Sequence, residues 1–303
     1  METILITGGT GLVGQELTKL LTEKNYHVTI LTSSKEKAKK ENHFYWNHKN
    51  DEIDQEAISS ADYIIHLAGA NLSESRWTEK RKIEIFESRI NTAHLLLDRI
   101  KKHNINLKGF IAASAVGIYG TVTTDKIFSE NDPPASDYIG KLCQDWENST
   151  KGLADLNIPL ITLRIGVVLT NKGGAFTKLL KPVQMGIGSG IGSGKQYLPW
   201  IHVQDVCNMF LHALKTKGFE GTYNVVAPEH VTNYNLSKAI ATKANKPFWM
   251  PNVPSFILKL IFGEMAVIFL TGSRISSEKI VETGYRFTYS KLENALDNLI
   301  PIQ

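Results

Sequence analysis

Two cysteines in 303 residues, Cys143 and Cys207, are too few and too far apart for a disulfide framework, and neither stands in a CxxC or Cys/His spacing. That excludes a structural zinc site, leaves two reduced, half-buried thiols, and gives no reason to expect a metal. Charge of one sign is also scarce: 34 basic against 30 acidic residues leave +4, spread along the chain with no basic arm or stripe to meet nucleic acid. Long apolar runs are missing. The most membrane-like stretch, VPSFILKLIFGEMAVIFLTG at 253–272, is broken by Lys259 and Glu264 and is expected as a buried or groove-lining helix, with no membrane partner. The N-terminus shows no basic segment followed by an apolar run and a cleavage site, so the expected location is cytoplasmic. Low-complexity segments and internal repeats are absent.

What is present is an ordinary globular composition, 42% hydrophobic and 21% charged, in a chain long enough for a large domain with a smaller lobe. Strand-like runs recur at ETILIT, HVTILT, ADYIIHLA, KGFIAAS and PLITLRI, separated by stretches of helical spacing, and TYNVVA reads as one more strand. This alternation is that of repeated βαβ units. Leu12, Val13, Leu17, Leu20 and Leu21 give one apolar helical face, and Ile83, Phe86, Ile90 and Leu97 give another over Trp77 to Ile100.

The first strand runs into TGGTGLVG, which places Gly8, Gly11 and Gly14 between a strand and a helix. The three glycines do different things: Gly8 permits a tight turn, Gly11 lets backbone approach a pyrophosphate, and Gly14 lets helix pack closely on strand. The helix start then offers free N–H groups and the positive dipole end to phosphates. At the end of the second strand, a site for NAD normally has an acid that accepts from the ribose 2′-hydroxyl. Here that end reads Thr32, Ser33, Ser34, Lys35, with no carboxylate before Glu36, so NADP is favoured over NAD. A second glycine string, GIGSGIGSGKQ, lacks the first glycine of a phosphate loop and has Gln196 where a magnesium-binding hydroxyl belongs; it is expected as a flexible loop near the substrate.

TGGTGLVG, HLAGAN, RWTEKRKIEIFESRINT, SAVGIYG, KLCQDWE, KGGAF, GSGKQYLPWIHVQD and NVVAPEHVTN stand in an order that resembles the atypical epimerase-like subfamily of the extended short-chain dehydrogenases/reductases, over essentially the whole chain. The resemblance implies an α/β fold, a Rossmann-type doubly wound parallel sheet of about seven strands with a small, mainly helical C-terminal substrate lobe. It implies a nucleotide-binding domain at 1–170 with 198–228, a lobe at 171–197 with 229–303, and NADP as cofactor. Carried over by position, Gly8, Thr10, Gly11, Leu12, Val13 and Gly14 cradle the pyrophosphate, and Thr32 and Ser33 face the adenosine ribose. Ser33 stands where the subfamily commonly has Arg. Leu67, Ala68, Glu84 and Arg89 lie along the nucleotide, and Val168 borders the nicotinamide. Extended members often pair through two helices, so 76–102 and 136–155 are the candidates if the chain is a homodimer rather than a monomer.

An active enzyme of this type uses a Tyr for proton transfer, a Lys one helical turn later that lowers the phenol pKa, and a hydroxyl that orients the substrate oxygen. Tyr138 occupies the tyrosine position, but Leu142 stands at the lysine position, and Lys141 is rotated about 100° away. Ser114 precedes the Tyr119–Gly120 pair by one residue more than the common pattern, and Ala115 holds that place. Tyr138 and Ser114 are therefore the provisional catalytic pair. Asp137 and Ser136 read as helix caps. Tyr119 and His202 are expected in the cleft, with His202 either an acid/base substitute or a partner of Asp205; His66 reads as a satisfied core histidine. Arg76, Trp77, Lys195, Tyr197 and Trp200 suit an anionic or sugar-like ligand, or simply pack the lobe on the sheet. Two functions stand open: an NADP-dependent epimerase or oxidoreductase acting on a small carbonyl or sugar-like substrate, and an NADP-binding sensor or scaffold with a decayed catalytic set.

Overall fold

A computed structural model describes residues 1–301; residues 302 and 303, the end of the expected lobe, lie outside the described residues. Eight strands form one sheet: β1 (Thr3–Thr7), β2 (His27–Thr32), β3 (His43–Asn47), β4 (Glu52–Ile53), β5 (Tyr63–His66), β6 (Gly109–Ala115), β7 (Leu160–Ile165) and β8 (Gly221–Val225). Their order is β8-β7-β6-β5-β1-β2-β3-β4. The first seven of these positions run parallel, and only β4 is antiparallel, to β3. The expected parallel sheet is thus present, with one short strand added at its edge. β3, HFYWN, escaped the sequence reading because it mixes polar and aromatic residues without a clean apolar run.

Side-chain alternation along β1 explains how the sheet is covered on both faces. Ile4 and Ile6 point to one side, against Leu17 and Leu21 of helix α1 (Leu12–Glu23), while Leu5 points to the other, against Leu31, Ile64 and Phe110. All three are fully buried. Each such side chain contributes about 2 kcal/mol of burial. The chain leaves β1 toward β2 and later returns to its opposite side as β5, which opens a crevice at the strand ends where nucleotides bind in such folds.

The apolar pattern over 77–100 resolves into two helices, α2 (Glu79–Glu87) and α3 (Ile90–Lys102). The break falls at Ser88 and Arg89, whose side chains bond to the segment at Ala70 instead of continuing one cylinder. Ile83 and Phe86 are consequently exposed. Helix α4 (Tyr138–Asn148) begins as expected, with Asp137 accepting from the Gly140 N–H at 2.8 Å. It ends at Asn148, and a short 3-10 segment at Lys151–Leu156 follows.

Beyond the sheet, three helices at Gly174–Gln184, Asn233–Lys243 and Leu292–Leu299 share one apolar cluster around Phe176, Trp200 and Leu236. Helix α5 (Val203–Lys215) joins this region to the sheet, and the buried Asp205 accepts from the Tyr285 hydroxyl and the Thr288 and Tyr289 N–H groups. Two expectations need correction. The run at 253–272 is split at Gly263, and its first helix, α6 (Ser255–Phe262), leaves Phe256 and Leu260 exposed, which excludes the buried alternative and not the groove-lining one. Among the described residues no helix is long and apolar enough to cross a membrane. The string GIGSGIGSGKQ is held rather than free: Gln196 is buried and donates to Ile191 O and Phe269 O, and Ile191 N–H donates to Asn233 Oδ1.

Candidate functional site

The crevice is built on the glycine turn. Gly8 has φ +71°, a left-handed conformation strained for other residues, and a Cβ there would stand 2.9 Å from the Leu67 carbonyl carbon. A Cβ on Gly14 would stand 2.3 Å from Gly8 O, so only hydrogen lets α1 lie this close to the turn. Gly11 caps α1, and no side chain accepts from the helix start. Its first N–H groups are therefore left as donors for an anion. Leu12 is exposed beside the turn, and a Cβ added at Gly173 would stand 3.1 Å from its Cδ2.

Thr7 ties the two walls together. Its hydroxyl accepts from Ala68 N–H at 3.2 Å and meets His66 Nδ1 at 2.7 Å. Burial holds the His66 pKa down at about 4, so the ring is neutral. His66 Nε2 has no hydrogen-bond partner, so the expected core histidine is only half satisfied.

Gly8, Thr10, Thr32, Ser33, Ala68 and Glu84 line one cavity of 330 Å³, and the structure thus brings these sequence-selected residues together. Thr32 is buried and accepts from Ser34 N–H, whereas Ser33 is exposed. Glu84 pairs with Arg81 at 2.8 Å. Its other walls include Trp46, His48, Lys49, Glu87 and Thr92, and none of these was selected from the sequence. Trp46 belongs to the unrecognised β3; an apolar ring in a short strand carries no local sign of a cavity. Leu67 packs at the end of β5, and Val168 is half-buried in the short strand Val167–Leu169, which pairs with Trp200–His202.

Arg89 is 6% exposed, and its guanidinium donates to Ile85 O at 3.0 Å and Ala70 O at 2.9 Å and lies 5.0 Å from the Trp146 ring centroid. It has no carboxylate partner among the described residues, and burial lowers its pKa to about 10. The Tyr138 hydroxyl is buried without a partner. Its ring packs edge-on against Trp77 at 5.3 Å, and Lys82 Nζ stands 5.5 Å from its centroid. Burial raises the phenol pKa, against the opposing pull of Lys82 and Arg89. Lys82 in turn pairs with Glu264 at 2.7 Å and Glu79 at 3.1 Å. Leu142 is buried and Lys141 is exposed, so the cations beside Tyr138 come from another part of the chain. No local signal could have named Lys82.

Ser114 is a correction to the expected pairing with Tyr138. Its hydroxyl donates to Glu147 Oε1 at 2.8 Å, while the next residue, Ala115, packs in the cluster that contains Tyr138. Successive strand residues face opposite ways, so one residue of register decides the partner. Tyr119 is likewise not a cleft residue: it is 3% exposed, donates to Asn224 Oδ1 and accepts from Arg164, and burial pushes its pKa up to about 12. His202 caps α5 by accepting from Gln204 N–H, and its Nε2 faces Asn298 Oδ1, not Asp205. Trp77 and Trp200 are buried with their indole N–H groups satisfied by carbonyls, and Arg76 donates to Ile261 O at 2.6 Å and to Leu260 O at the end of α6. Lys195 and Tyr197 line a separate cavity of 600 Å³. Both thiols are buried, more deeply than expected. Among the described residues no group of three or more His, Cys, Asp or Glu side chains is placed to hold a metal.

A parallel sheet with a glycine turn at its switch point defines a Rossmann-type nucleotide-binding protein, and the comparisons with known proteins narrow this further. The chain belongs to the NAD dependent epimerase/dehydratase family, whose sequence model matches residues 4–226; a domain of unknown function (DUF1731) matches 253–299. The epimerase family protein YfhF of Bacillus subtilis is 38% identical over 300 residues, covering 98% of this chain and 97% of that one. A crystal structure of the human epimerase family protein SDR39U1 with NADPH superimposes with a TM-score of 0.89 at 29% identity, covering 98% and 99% of the two chains. The nucleoside-diphosphate sugar epimerase of Corynebacterium glutamicum gives a TM-score of 0.81 at 25% identity, covering 99% of this chain and 58% of that one. These matches support the atypical epimerase-like assignment within the extended short-chain group.

Proposed function

We propose that the chain binds NADP in this crevice and acts as an epimerase or oxidoreductase on a small carbonyl or sugar-like substrate, possessing one retained proton-transfer residue, Tyr138. The observation that carries the reading is the cavity that Gly8 and Thr10, of the turn before the uncapped start of α1, share with Thr32 and Ser33, with no carboxylate at the end of β2. The donor set fits a phosphorylated dinucleotide, because backbone N–H groups and hydroxyls donate to anionic oxygen while an acid at that point would repel it. The NADPH bound to human SDR39U1 is in keeping with this choice. Residues 1–170 with 198–228 hold the nucleotide in this reading, and 171–197 with 229–303 complete the substrate side.

When bound, the nicotinamide gives or takes a hydride. The chain's own residues supply the rest. Tyr138, protonated at neutral pH because burial raises its pKa, donates to the oxygen of a substrate carbonyl. Lys82 and Arg89 stabilise the phenolate left behind. Val168 would border the nicotinamide, and Trp77 packs edge-on against the phenol. The test is oxidation of NADPH with a panel of carbonyl compounds, together with proton NMR of nucleotide sugars for epimerised product. Turnover that disappears in Tyr138→Phe supports the enzyme.

A second reading, an NADP-binding sensor or scaffold, draws on one observation: Leu142 is buried at the lysine position while the Ser114 hydroxyl is engaged with Glu147. Tight NADPH binding by calorimetry with no turnover on any substrate decides for it.

A further inference from the structure

Helix α4 carries no cation one turn after Tyr138, because Leu142 is buried at that position and Lys141 is exposed. A lysine on the same helix is kept beside its tyrosine by the helix itself. A cation that arrives from another element has no such tether. Lys82 is that cation: it stands in α2, its Nζ lies 5.5 Å from the Tyr138 ring centroid, and its side chain is 20% exposed. A long flexible side chain samples many rotamers, and its charge acts on a neighbour only as closely as it is held there.

Two carboxylates hold the ammonium, and they come from different places. Glu79, at 3.1 Å, is one turn back on α2 and moves with that helix. Glu264, at 2.7 Å, reaches over from the C-terminal part of the chain. Its backbone is fixed on both sides. Gly263 turns the chain after α6 with φ +60°, and Met265 is buried in the cluster against which Tyr138 packs. Further back, Arg76 donates to the Leu260 and Ile261 carbonyls at the end of α6. The Glu264 side chain itself is 67% exposed, and an ion pair so open to water adds little to stability.

We propose that Glu264 is a positioning residue for proton transfer at Tyr138: it fixes the Lys82 ammonium against the phenol, and the two together take the place of the lysine that α4 lacks. The proposal rests on the role given to Tyr138 above and extends it, because the proton donor is complete only while the turn at Gly263–Ala266 is seated. The charged groups around the phenol are Lys82 and Glu79 on α2, Arg89 at the start of α3, and Glu264. Burial raises the Tyr138 pKa, Lys82 and Arg89 pull it down, and Glu79 and Glu264 by charge alone push it up. Positioning and bare charge therefore give opposite signs when the carboxylate is removed. A Lys82 no longer held stabilises the phenolate less and the pKa rises, whereas loss of a negative charge alone lets it fall.

Fluorine NMR of the full chain labelled with 3-fluorotyrosine, with the Tyr138 signal assigned by its loss in Tyr138→Phe, reads this titration and needs neither nucleotide nor substrate. Lys82→Met is expected to raise the Tyr138 pKa by about one unit and Glu264→Gln by on the order of half a unit, with the Glu264→Gln melting temperature kept to within about two degrees. In the Lys82→Met background, Glu264→Gln is expected to lower the pKa or leave it in place. A fall or no change on Glu264→Gln with Lys82 present, an equal change in both backgrounds, no rise in Lys82→Met, or a Glu264→Gln protein that melts several degrees lower would overturn the proposal. Turnover that survives in Tyr138→Phe overturns instead the role given to Tyr138, whatever the titration shows, and removes the role of Glu264 with it.

Discussion

Arg164 and Glu147 meet in two parallel hydrogen bonds, Nε to Oε1 at 2.8 Å and Nη2 to Oε2 at 2.9 Å. Both side chains are nearly buried, and Ser114 adds a third bond to the same carboxylate. The pair links β7 to the last turn of α4, the helix whose first residue is Tyr138. Removing one partner leaves a buried charge alone, so Glu147→Ala is expected to destabilise the fold by about 3 kcal/mol, against about 1 kcal/mol for Ser114→Ala. Urea unfolding midpoints check the difference.

The three glycines of the turn should separate folding from binding. Gly14→Ala forces a methyl to 2.3 Å from Gly8 O, and Gly8→Ala combines φ +71° with a 2.9 Å clash, so both variants are expected to melt several degrees lower. A Cβ on Gly11 meets only Gly8 O, at 3.2 Å. Gly11→Ala should therefore keep the melting temperature of the ligand-free protein to within a degree or two and lose at least about tenfold in NADPH affinity. Scanning calorimetry with and without nucleotide reads both quantities.

Tyr138→Phe removes a buried hydroxyl that has no partner. An unsatisfied buried polar group costs about 1 to 3 kcal/mol, so the variant is expected to be as stable as the wild type or more so. Activity, where a substrate supports turnover, should drop by a factor of about 100 or more. A variant both inactive and unstable would mean that the phenol has a bond the structure does not show.

His66 gives a pH dependence of known sign. Its folded pKa lies near 4, below the usual 6.5, so the unfolded chain takes up a proton first as the solution is acidified. The stability it contributes is whole above about pH 6.5 and is lost as the pH falls toward about 4, by about 3 kcal/mol in total. His66→Gln should make the fall of the unfolding midpoint across that window shallower; His48, His202, His212 and His230, whose pKa values burial also lowers, keep part of it, and the loss below it, from carboxylates such as Asp62 and Asp137 with lowered pKa values, stays.

Burial pushes both thiols up to about 12. Neither Cys143 nor Cys207 should react with a disulfide reagent at neutral pH in the native protein, and both should react in urea. Reaction of one thiol before unfolding would identify a local opening in α4 or α5.

Elements that depend on neighbours in the chain were legible from the residues alone: the alternation in β1, the 3.6-residue period of α1, the glycine turn between them, the Asp137 cap and the displaced phase of Lys141. Such features are set by backbone sterics and short-range spacing, which any window of the sequence contains. What only the tertiary structure decided is which side chains become partners across long separations. Ser114 found Glu147 and not Tyr138, and His202 found Asn298. Tyr138 gained Lys82 and Arg89 in place of the absent lysine, and the break at Arg89 came from its bond to Ala70. These outcomes rest on packing between segments tens of residues apart, where one residue of register turns a side chain to the opposite face, and no local pattern carries that information.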